Sequence, residues 1–398
     1  MRMYQTLEVL GPEHEFAIVD EDLRPIPIAD KVIKAVKGRI VNQASLDGSS
    51  IGKELQLHVL EFKANEPFSS PETFENTMQK SVDKTNKLLS SNFDAMLLGT
   101  GMHPHLHPAE ARVWPHRDQK IYNALHQIFG LRQHGWVNIQ SFQLNLPYKT
   151  EDEGLRLHNY LANLIPYLPA LTASSPIYES RIGNYVDNRL YFYASNQKQI
   201  PSIAGDIVPE YINSFDEYHE KVIGKYSADL EKFGAPRLLL NKEWVNSRGA
   251  IIRFDRRTIE IRVMDEQECV KIDVAISCFI RCILRAWMSK YIILRPHEEL
   301  VRDLWSIARK GLRAEVCRGS NLTARDICLE HLEQAETSAT VEEKRYLEIV
   351  ENRIREGNLA DRILRDITGA IGVRNFRSAV LEVYLRLAKC LRDNIPYS

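Results

Sequence analysis

The sequence lacks long apolar runs and an excess of charge of either sign. Its 398 residues carry 52 basic and 53 acidic side chains, so the formal net charge is −1. This balance provides no basic field for nucleic acid and no acidic tail. The longest apolar run, around residues 276–284, is interrupted by Arg281, and the N-terminal residues reach Gly11-Pro12 too soon for the apolar core of a signal peptide. We therefore expect a soluble, cytoplasmic protein that binds neither nucleic acid nor membranes.

Several familiar ligand-binding motifs are also missing. The six cysteines form no CxxC pair, and the helical spacing of Cys278 and Cys282 is typical of buried, reduced thiols. Neither GxxxxGK(S/T) nor GxGxxG occurs, so a nucleotide would be bound without a P-loop or a Rossmann turn. Internal repeats and low-complexity tracts are absent too, which favours one large α+β domain over residues 1–398.

The sequence does contain strands whose polar faces carry charged groups. In residues 258–267, β-branched residues alternate with Glu260 and Arg262, the two-residue period of a strand with one packed face. A carboxylate and a guanidinium group therefore point the same way, and Asp265 follows at the strand end. A solvated edge strand would show the same pattern, so this stretch alone leaves both interpretations open.

Four more carboxylates lie in two predicted strands nearer the N-terminus. Glu13 and Glu15 are two residues apart and share a face. Glu54 and Glu61 are seven residues apart, so a straight strand would turn them to opposite sides. If both reach one site, a bulge or a bend must lie between them.

Amide and guanidinium groups occupy similar positions on further predicted strands. Gln143 and Asn145 share one strand face, Arg189 lies in a short strand predicted over residues 188–194, and Arg253 lies in another strand. A sheet curved around a cleft could gather these groups with the carboxylates. Mg²⁺ prefers oxygen ligands and often binds together with phosphates, which arginines also match. The set therefore indicates phosphoryl transfer from ATP.

The C-terminal part of the chain is helical in pattern. Residues 274–293 predict a mostly apolar helix, and the residues after it show little strand signal, with helix ends predicted at Gly357 and Gly372. We therefore predict a single catalytic domain with a core, residues 1–290, and a helical C-terminal region, residues 291–398.

A run of histidines offers a different chemistry. His103, His105 and His107 could supply ligands for zinc and make the protein a metal hydrolase. Prolines flank the run, and no further Cys or Glu completes an evident ligand set. A metal hydrolase stays an alternative that the absence of stoichiometric zinc would exclude.

Several motifs occur in the order found in one enzyme family. They are Gly11-Pro-Glu13-His-Glu15-Phe, the segment from Glu54 to Glu61, Gly99-Thr-Gly-Met-His103-Pro104, Leu168-Pro169-Ala-Leu-Thr-Ala-Ser-Ser175-Pro176 and Thr258-Ile-Glu260-Ile-Arg262-Val-Met-Asp265. Over residues 5–290 the chain resembles glutamate–cysteine ligase family 2, the bacterial and archaeal carboxylate–amine ligases.

The resemblance implies a glutamine-synthetase-like α+β fold, in which a curved, mainly antiparallel sheet forms a funnel with helices outside. It also implies that ATP phosphorylates the side-chain carboxylate of glutamate and that an amine, cysteine by family default, displaces the phosphate. The implied ligands of Mg²⁺, or of Mn²⁺ in its place, are Glu13, Glu15, Glu54, Glu61 and Glu260. The implied catalytic residues are Arg253, Glu260 and Arg262, and the implied substrate-binding residues are Arg189, Gln143 and Asn145.

One departure from the family pattern lies on the central strand. The family usually has His-Val-His where this chain has Gln143-Leu144-Asn145. Amide oxygens can bind Mg²⁺ but do not titrate, and imidazole binds softer metals better. The departure leaves open which amine is used, and whether the chain is a nucleotide- or amino-acid-binding protein that has lost the chemistry. Small molecules are the expected partners, and a homo-oligomer is common in the family.

Overall fold

The computed structural model describes residues 3–319, 321–371 and 374–398. Within these ranges the strands are β1 (Gly11–Val19), β2 (Gln43–Leu46), β3 (Ser49–Lys53), β4 (Val59–Ala64), β5 (Met96–Leu98), β6 (Ser141–Pro147), β7 (Ile177–Tyr178), β8 (Arg181–Ile182), β9 (Ala250–Arg253) and β10 (Thr258–Asp265). Eight of them form one sheet in the order β2-β3-β4-β1-β6-β10-β9, with β5 also paired to β1. Every pair of neighbours in that sheet is antiparallel.

Helices surround this sheet and make up most of the C-terminal part. In the described residues they are α1 (Ala29–Lys37), α2 (Pro71–Phe93), α3 (Gln119–Phe129), α4 (His134–Val137), α5 (Glu151–Leu164), α6 (Leu168–Thr172), α7 (Asn188–Ser195), α8 (Phe215–Tyr218), α9 (Lys225–Lys232), α10 (Val270–Met288), α11 (His297–Lys310), α12 (Ala324–Glu336), α13 (Val341–Glu356), α14 (Leu359–Ala370) and α15 (Phe376–Asp393). A π-helical segment, His219–Gly224, joins α8 to α9.

The two faces of the sheet differ in chemistry because side chains alternate along each strand. On β1, Glu13 and Glu15 point to one face, and His14 and Phe16 point to the other. The second face is packed against α2 and α10, and α10 in turn contacts α5, α12 and α13. A second apolar cluster joins α14 and α15 to β5. The sheet therefore has an apolar back and a polar front.

One strand prediction is wrong: residues 188–194 form helix α7, not a strand. Asp187 precedes the helix and accepts a hydrogen bond from the Leu190 N–H at 2.8 Å. The buried residues Leu190 and Tyr193 follow with helical spacing, even though the aromatic content of the segment is typical of a strand. Burial of a helical face therefore overrides local propensity here.

The seven-residue spacing of Glu54 and Glu61 requires a bend if both are to reach one site, and the turn between β3 and β4 provides it. Glu54 lies in this turn and not on a strand, and Glu61 lies on β4. In the C-terminal part, Gly357 follows α13 with φ +106°, as expected for a glycine at a helix end. Gly372, the other predicted helix end, lies outside the described residues.

No helix in the described ranges combines the length and low polarity needed to cross a membrane. Helices α11–α15 all lie within residues 291–398, as the helical pattern predicts. The division of one catalytic domain at residue 290 stays a prediction.

Glu343 on α13 forms a buried ion pair with α10 and provides a test of this packing. Its Oε1 is 2.7 Å from Arg281 Nη2, and its Oε2 is 3.1 Å from Arg285 Nη1. Burial opposes ionisation, but the two arginines outweigh it and lower the pKa of Glu343 to about 2. We expect Glu343→Gln to reduce the free energy of unfolding at pH 7 by about 3 kcal/mol, measured by urea denaturation.

The pH dependence follows from the lowered pKa. The contribution of the ion pair is complete above the pKa of a glutamate in the unfolded chain, about 4.3, and is lost as the pH falls toward 2. The difference between wild type and variant should therefore shrink over that range. Glu330→Gln, which breaks an exposed pair with Arg318, should cost less than about 1 kcal/mol. Equal losses in both variants would contradict the structural role of Glu343.

Candidate active site

The antiparallel register brings the predicted carboxylates and amides together on the front of the sheet. Glu15 on β1 is paired with Glu61 on β4, and Glu13 is paired with Gln143 on β6. One strand further, Asn145 on β6 is paired with Glu260 on β10. Glu54 reaches the same area from the turn before β4, close enough to affect the ionisation of Glu61.

Lys63 is the counter-ion at one end of this face. It is the cross-strand partner of Glu13, and its Nζ lies 3.0 Å from Glu13 Oε2 and 2.7 Å from Glu61 Oε1. Arg256 Nη1 donates to Glu13 Oε1 at 2.9 Å. Burial opposes ionisation of Glu13, but Lys63 and Arg256 outweigh it and lower its pKa to about 2. Glu13 is therefore a carboxylate at neutral pH.

Glu15, Glu54 and Glu61 are harder to ionise than Glu13. Burial, reinforced by the charge of Glu61, raises the pKa of Glu15 to about 7 against the opposing effect of Arg189. Burial and the nearby Glu15 raise the pKa of Glu54 to about 7. Burial, with Glu54 and Glu13, raises the pKa of Glu61 to about 8 despite Lys63. A divalent cation would offset this repulsion, so the oxygen-rich donor set fits Mg²⁺ or Mn²⁺.

Arginines enclose the carboxylate of Glu260. Arg253 Nη1 donates to Glu260 Oε2 at 2.5 Å, and Arg262 Nε lies 3.5 Å from Glu260 Oε1. Arg262 also donates through Nη1 to the carbonyl oxygen of Asn246 at 2.8 Å. Burial disfavours the charged form of Arg262, but surrounding groups that include Glu260 outweigh it and raise the pKa of its guanidinium group. These two cations therefore neutralise the charge of Glu260.

Gln143 and Asn145 use their amide nitrogens toward the carboxylates. Gln143 Nε2 donates to Glu15 Oε1 at 3.1 Å, and Asn145 Nδ2 donates to Glu13 Oε1 at 3.1 Å. Glu15 is held further by the N–H of Ser141, which donates to its Oε2 at 2.7 Å. The amides therefore orient the two carboxylates of β1, and the Asn145 amide oxygen accepts the Thr258 hydroxyl at 3.0 Å.

Arg189 lies beneath the face, in helix α7 and not on the predicted strand. Its guanidinium group is buried and donates to the carbonyl oxygens of Arg262 at 3.0 Å and Val263 at 3.3 Å. Its Nε has no hydrogen-bond partner in the described part of the chain. A direct contact with a substrate carboxylate stays a prediction.

Two cavities open on the front of the sheet. One, of about 180 Å³, lies between Glu15 and Arg189 and is bordered by aromatic side chains such as Trp136 and Trp244. The other, of about 550 Å³, lies at the opposite end, beside Glu13 and the two cations that pair with it. The carboxylates therefore separate two spaces of different character, one partly aromatic and one edged by basic groups.

The histidine run does not form a metal site among the described residues. His103 is fully buried, and its Nδ1 accepts the backbone N–H groups of His105 at 3.2 Å and Leu106 at 3.0 Å. His105 Nδ1 is instead 2.8 Å from the Ser180 hydroxyl. Within these ranges, the side chains that have metal-binding geometry are those of His14, Glu266 and Asp273.

Lys63 and Arg256 were not among the residues predicted from the sequence. Lys63 could have been found, because it lies two residues after Glu61 and so shares its face of β4. Arg256 lies in the turn between β9 and β10, and no pattern indicates where a side chain in a turn points.

Comparison with solved structures shows the fold. The chain is similar to the glutamate–cysteine ligase of Francisella tularensis, solved in complex with AMP, with a TM-score of 0.66 and 14% identity over 98% of this chain and 90% of that one. It is also similar to a bifunctional glutathione synthetase of Pasteurella multocida, with a TM-score of 0.61 and 15% identity over 96% of this chain and 52% of that one. The predicted fold, a curved, mainly antiparallel sheet of the glutamine-synthetase-like type with outer helices, is confirmed.

Sequence comparison identifies the family. The model of Glutamate-cysteine ligase family 2 (GCS2) matches residues 9–379, so the chain belongs to that family. An uncharacterized protein of Archaeoglobus fulgidus is 44% identical over 392 residues, which cover 98% of this chain and all of the relative. The resemblance noted in the sequence is thereby confirmed and extends into the helical C-terminal part.

The carboxylate cluster makes a testable prediction about metal binding. We expect Glu61→Gln to weaken Mn²⁺ binding by at least about tenfold in the absence of nucleotide, because one oxygen ligand is lost where Glu15 and Glu54 converge. Titration followed by electron paramagnetic resonance of free Mn²⁺ measures this. Glu72→Gln, an exposed change at the start of α2, is the control. Unchanged Mn²⁺ affinity in Glu61→Gln would remove that residue from the metal-binding set.

Proposed function

We propose that this chain is an ATP-dependent carboxylate–amine ligase that forms a γ-glutamyl amide from glutamate and an amine, with cysteine as the first amine to test. The observation that carries the proposal is the set of carboxylates between two cavities on the front of the sheet, flanked by arginines. Membership of glutamate–cysteine ligase family 2 supports the ligase class.

The proposed reaction has two steps. The carboxylate oxygen of the acid attacks the γ-phosphorus of ATP, the bond to ADP breaks, and an acyl phosphate forms. The amine nitrogen then attacks the acyl carbon, phosphate leaves, and the amine loses a proton to give the amide. The first step moves negative charge from the carboxylate oxygen to ADP, and the second leaves negative charge on the departing phosphate, so both depend on positioning and on neutralisation of charge.

The metal-binding role is proposed for the carboxylates of the front face. Mg²⁺, or Mn²⁺ in its place, would supply positive charge to the phosphate oxygens. The proposed ligands are Glu13, Glu15, Glu54, Glu61 and Glu260. Gln143 and Asn145 orient two of these carboxylates through their amide N–H groups, and a direct contact of either amide with substrate is part of the proposal.

The cationic residues have separate proposed roles. Arg253 and Arg262, held against Glu260, stabilise the phosphoryl group during transfer. Arg189, at the base of the aromatic-lined cavity, binds the carboxylate of the acid substrate through its Nε–H, which has no partner in the described residues. The basic end of the face, with Lys63 and Arg256, suits the polyphosphate of the nucleotide. We also propose that residues 1–290 and the helical region 291–398 act as one catalytic domain, and that the protein forms a homo-oligomer.

The decisive experiment measures ADP release by the purified protein with ATP, Mg²⁺ and L-glutamate against a panel of amines that includes cysteine. Release that requires both glutamate and one amine establishes the ligase and identifies the acceptor. Release with another acid keeps the ligase class and changes the substrate. ATP binding without release for any pair would favour a binding protein that has lost the chemistry, in which Gln143 and Asn145 replace catalytically important histidines.

Glu260→Gln tests the central carboxylate. We expect kcat to fall by at least about a hundredfold with the fold unchanged, because the variant loses a proposed metal ligand and removes the carboxylate that Arg253 and Arg262 share. Steady-state ADP release and circular dichroism measure the two properties. Glu298→Gln, at an exposed position on α11, should behave as wild type. Wild-type turnover in Glu260→Gln would place that residue outside the active site.

Arg189→Lys tests recognition of the acid substrate. Lysine keeps the charge but loses the planar donor geometry, so the KM for the acid should rise by about tenfold or more while the KM for ATP changes little. Arg181→Lys, an exposed change on β8, is the control. A fall in kcat with unchanged KM values would show that Arg189 acts through its contacts with β10 and not on the substrate.

A further inference from the structure

Three fully buried ionisable side chains meet directly behind the polar face. They come from three elements: His14 from β1, Glu266 from the residue after β10, and Asp273 from the first turn of α10. His14 Nδ1 lies 3.3 Å from Glu266 Oε1 and 3.4 Å from Asp273 Oδ2. One nitrogen and two carboxylate oxygens therefore surround a common point, all within 4.8 Å of one another.

The separations match the ligands of a metal better than a direct ion pair. A hydrogen bond between a charged imidazole and a carboxylate is normally about 2.7–2.9 Å long, shorter than both distances at His14. Tetrahedral Zn²⁺ binds nitrogen and oxygen at about 2.0–2.2 Å, which places neighbouring ligand atoms about 3.3 Å apart. The separations of Glu266 Oε1 and Asp273 Oδ2 from His14 Nδ1 match this spacing.

Asp273 supplies a second, independent observation. Its side chain is fully buried, and neither of its carboxylate oxygens reaches good hydrogen-bond geometry within the described residues; the side chains that act on its ionisation at close range are His14 and Glu266, the other two members of the cluster. A buried carboxylate without well-formed hydrogen bonds is costly. Glu266 is better satisfied, since its Oε2 accepts the Glu15 N–H at 2.8 Å and its Oε1 accepts the Gln267 N–H at 3.2 Å. Asp273 is thus the less satisfied of the two carboxylates that face His14.

Charge balance favours a divalent cation at the same point. Burial opposes protonation of His14, but Glu266 and Asp273 outweigh it and raise its pKa to about 9, so without an ion the two carboxylates and the imidazolium keep one negative charge. A divalent ion that displaces this proton would bring the charge of the three ligands to zero. The surroundings offer little other compensation, because the rings of Phe16, Phe74 and Phe142 pack around His14 at 5.6, 6.0 and 5.0 Å between centroids.

We propose that His14, Glu266 and Asp273 bind one structural divalent cation of the zinc class, distinct from the Mg²⁺ ions of the proposed reaction. An imidazole ligand suits zinc and its neighbours in the transition series, whereas Mg²⁺ prefers oxygen. Since all three side chains are closed to solvent, the ion enters as the chain folds and adds to folding stability.

The position of the site connects it to the front of the sheet. Glu266 Oε2 holds the backbone N–H of Glu15, whose side chain projects to the opposite face. A cation that fixes Glu266 would therefore fix the part of β1 that presents Glu15. The three ligands belong to the centre of the sheet and to α10, so the ion would join the strand β1 to the helix behind it.

Metal analysis of the purified protein is the first test. Chains produced in zinc-supplemented medium and washed with a chelator should retain about one equivalent of Zn²⁺ per chain by mass spectrometry. Asp273→Asn should retain at least tenfold less. Asp303→Asn, which changes another fully buried carboxylate that is paired with Arg295, is the matched control and should keep the metal. Folded wild-type protein with less than a tenth of an equivalent of any divalent metal would overturn the proposal.

Cobalt substitution tests the geometry without relying on activity. Wild-type protein produced with Co²⁺ should show the visible absorption of a tetrahedral site, and His14→Phe should lose it while His331→Phe, a buried histidine elsewhere, keeps it. If the variants at the site do not fold, the wild-type spectrum alone decides, and its absence contradicts the proposal. Glu61→Gln should keep this signal, so failure of the proposed active site and failure of the buried site are distinguishable.

Discussion

Repulsion among carboxylates is the constraint on which this structure depends. Two like charges 4 Å apart repel by about 4 kcal/mol at the effective dielectric of a protein surface, and the front of the sheet gathers several. The chain offsets part of this repulsion with its own cations: Lys63 bridges Glu13 and Glu61, and Arg253 is paired with Glu260. The offset is incomplete, because the pKa of Glu61 is still raised to about 8 by burial and its acidic neighbours. A proton or a divalent cation would offset the repulsion that remains.

The apolar back of the sheet makes such a front possible. Phe16, Phe62 and Phe142 lie on strands whose alternate residues carry the polar groups, and all three are fully buried against the helices. The strands can therefore hold charged side chains at fixed positions without losing their packing. His14 and Glu266 are exceptions within this apolar layer, and they lie directly behind Glu15.

Strand alternation accounts for what could be predicted from the sequence. The two-residue period placed Glu13 with Glu15 and Gln143 with Asn145, and each pair does share a face in the structure. The period does not reveal which residues of different strands are opposite, because that register depends on turns and bulges such as the irregularity between Ile261 and Met264 on β10.

Strand alternation could not locate two kinds of residue: one whose segment is a helix and one that lies in a turn. The segment that carries Arg189 is predicted to be a strand, but tertiary packing selects a helix there. The role of Arg189 depends on carbonyl groups of β10 that are more than seventy positions away in sequence, at Arg262 and Val263. Arg256 reaches Glu13 from a turn, where no periodicity constrains direction. Long-range contacts of this kind become visible only when the fold is known.

The amides of the central strand give the site a property that histidines would not. An amide does not titrate, so Gln143 and Asn145 present the same N–H donors at every pH at which the protein is folded. Glu15, whose pKa burial raises to about 7, receives one of these donors, and Glu13, whose pKa is lowered to about 2, receives the other. Imidazoles at these positions would change charge in the same range as Glu15 and add a second titration beside it. With amides, the charge of this part of the site is determined by its carboxylates and by whatever cations they bind.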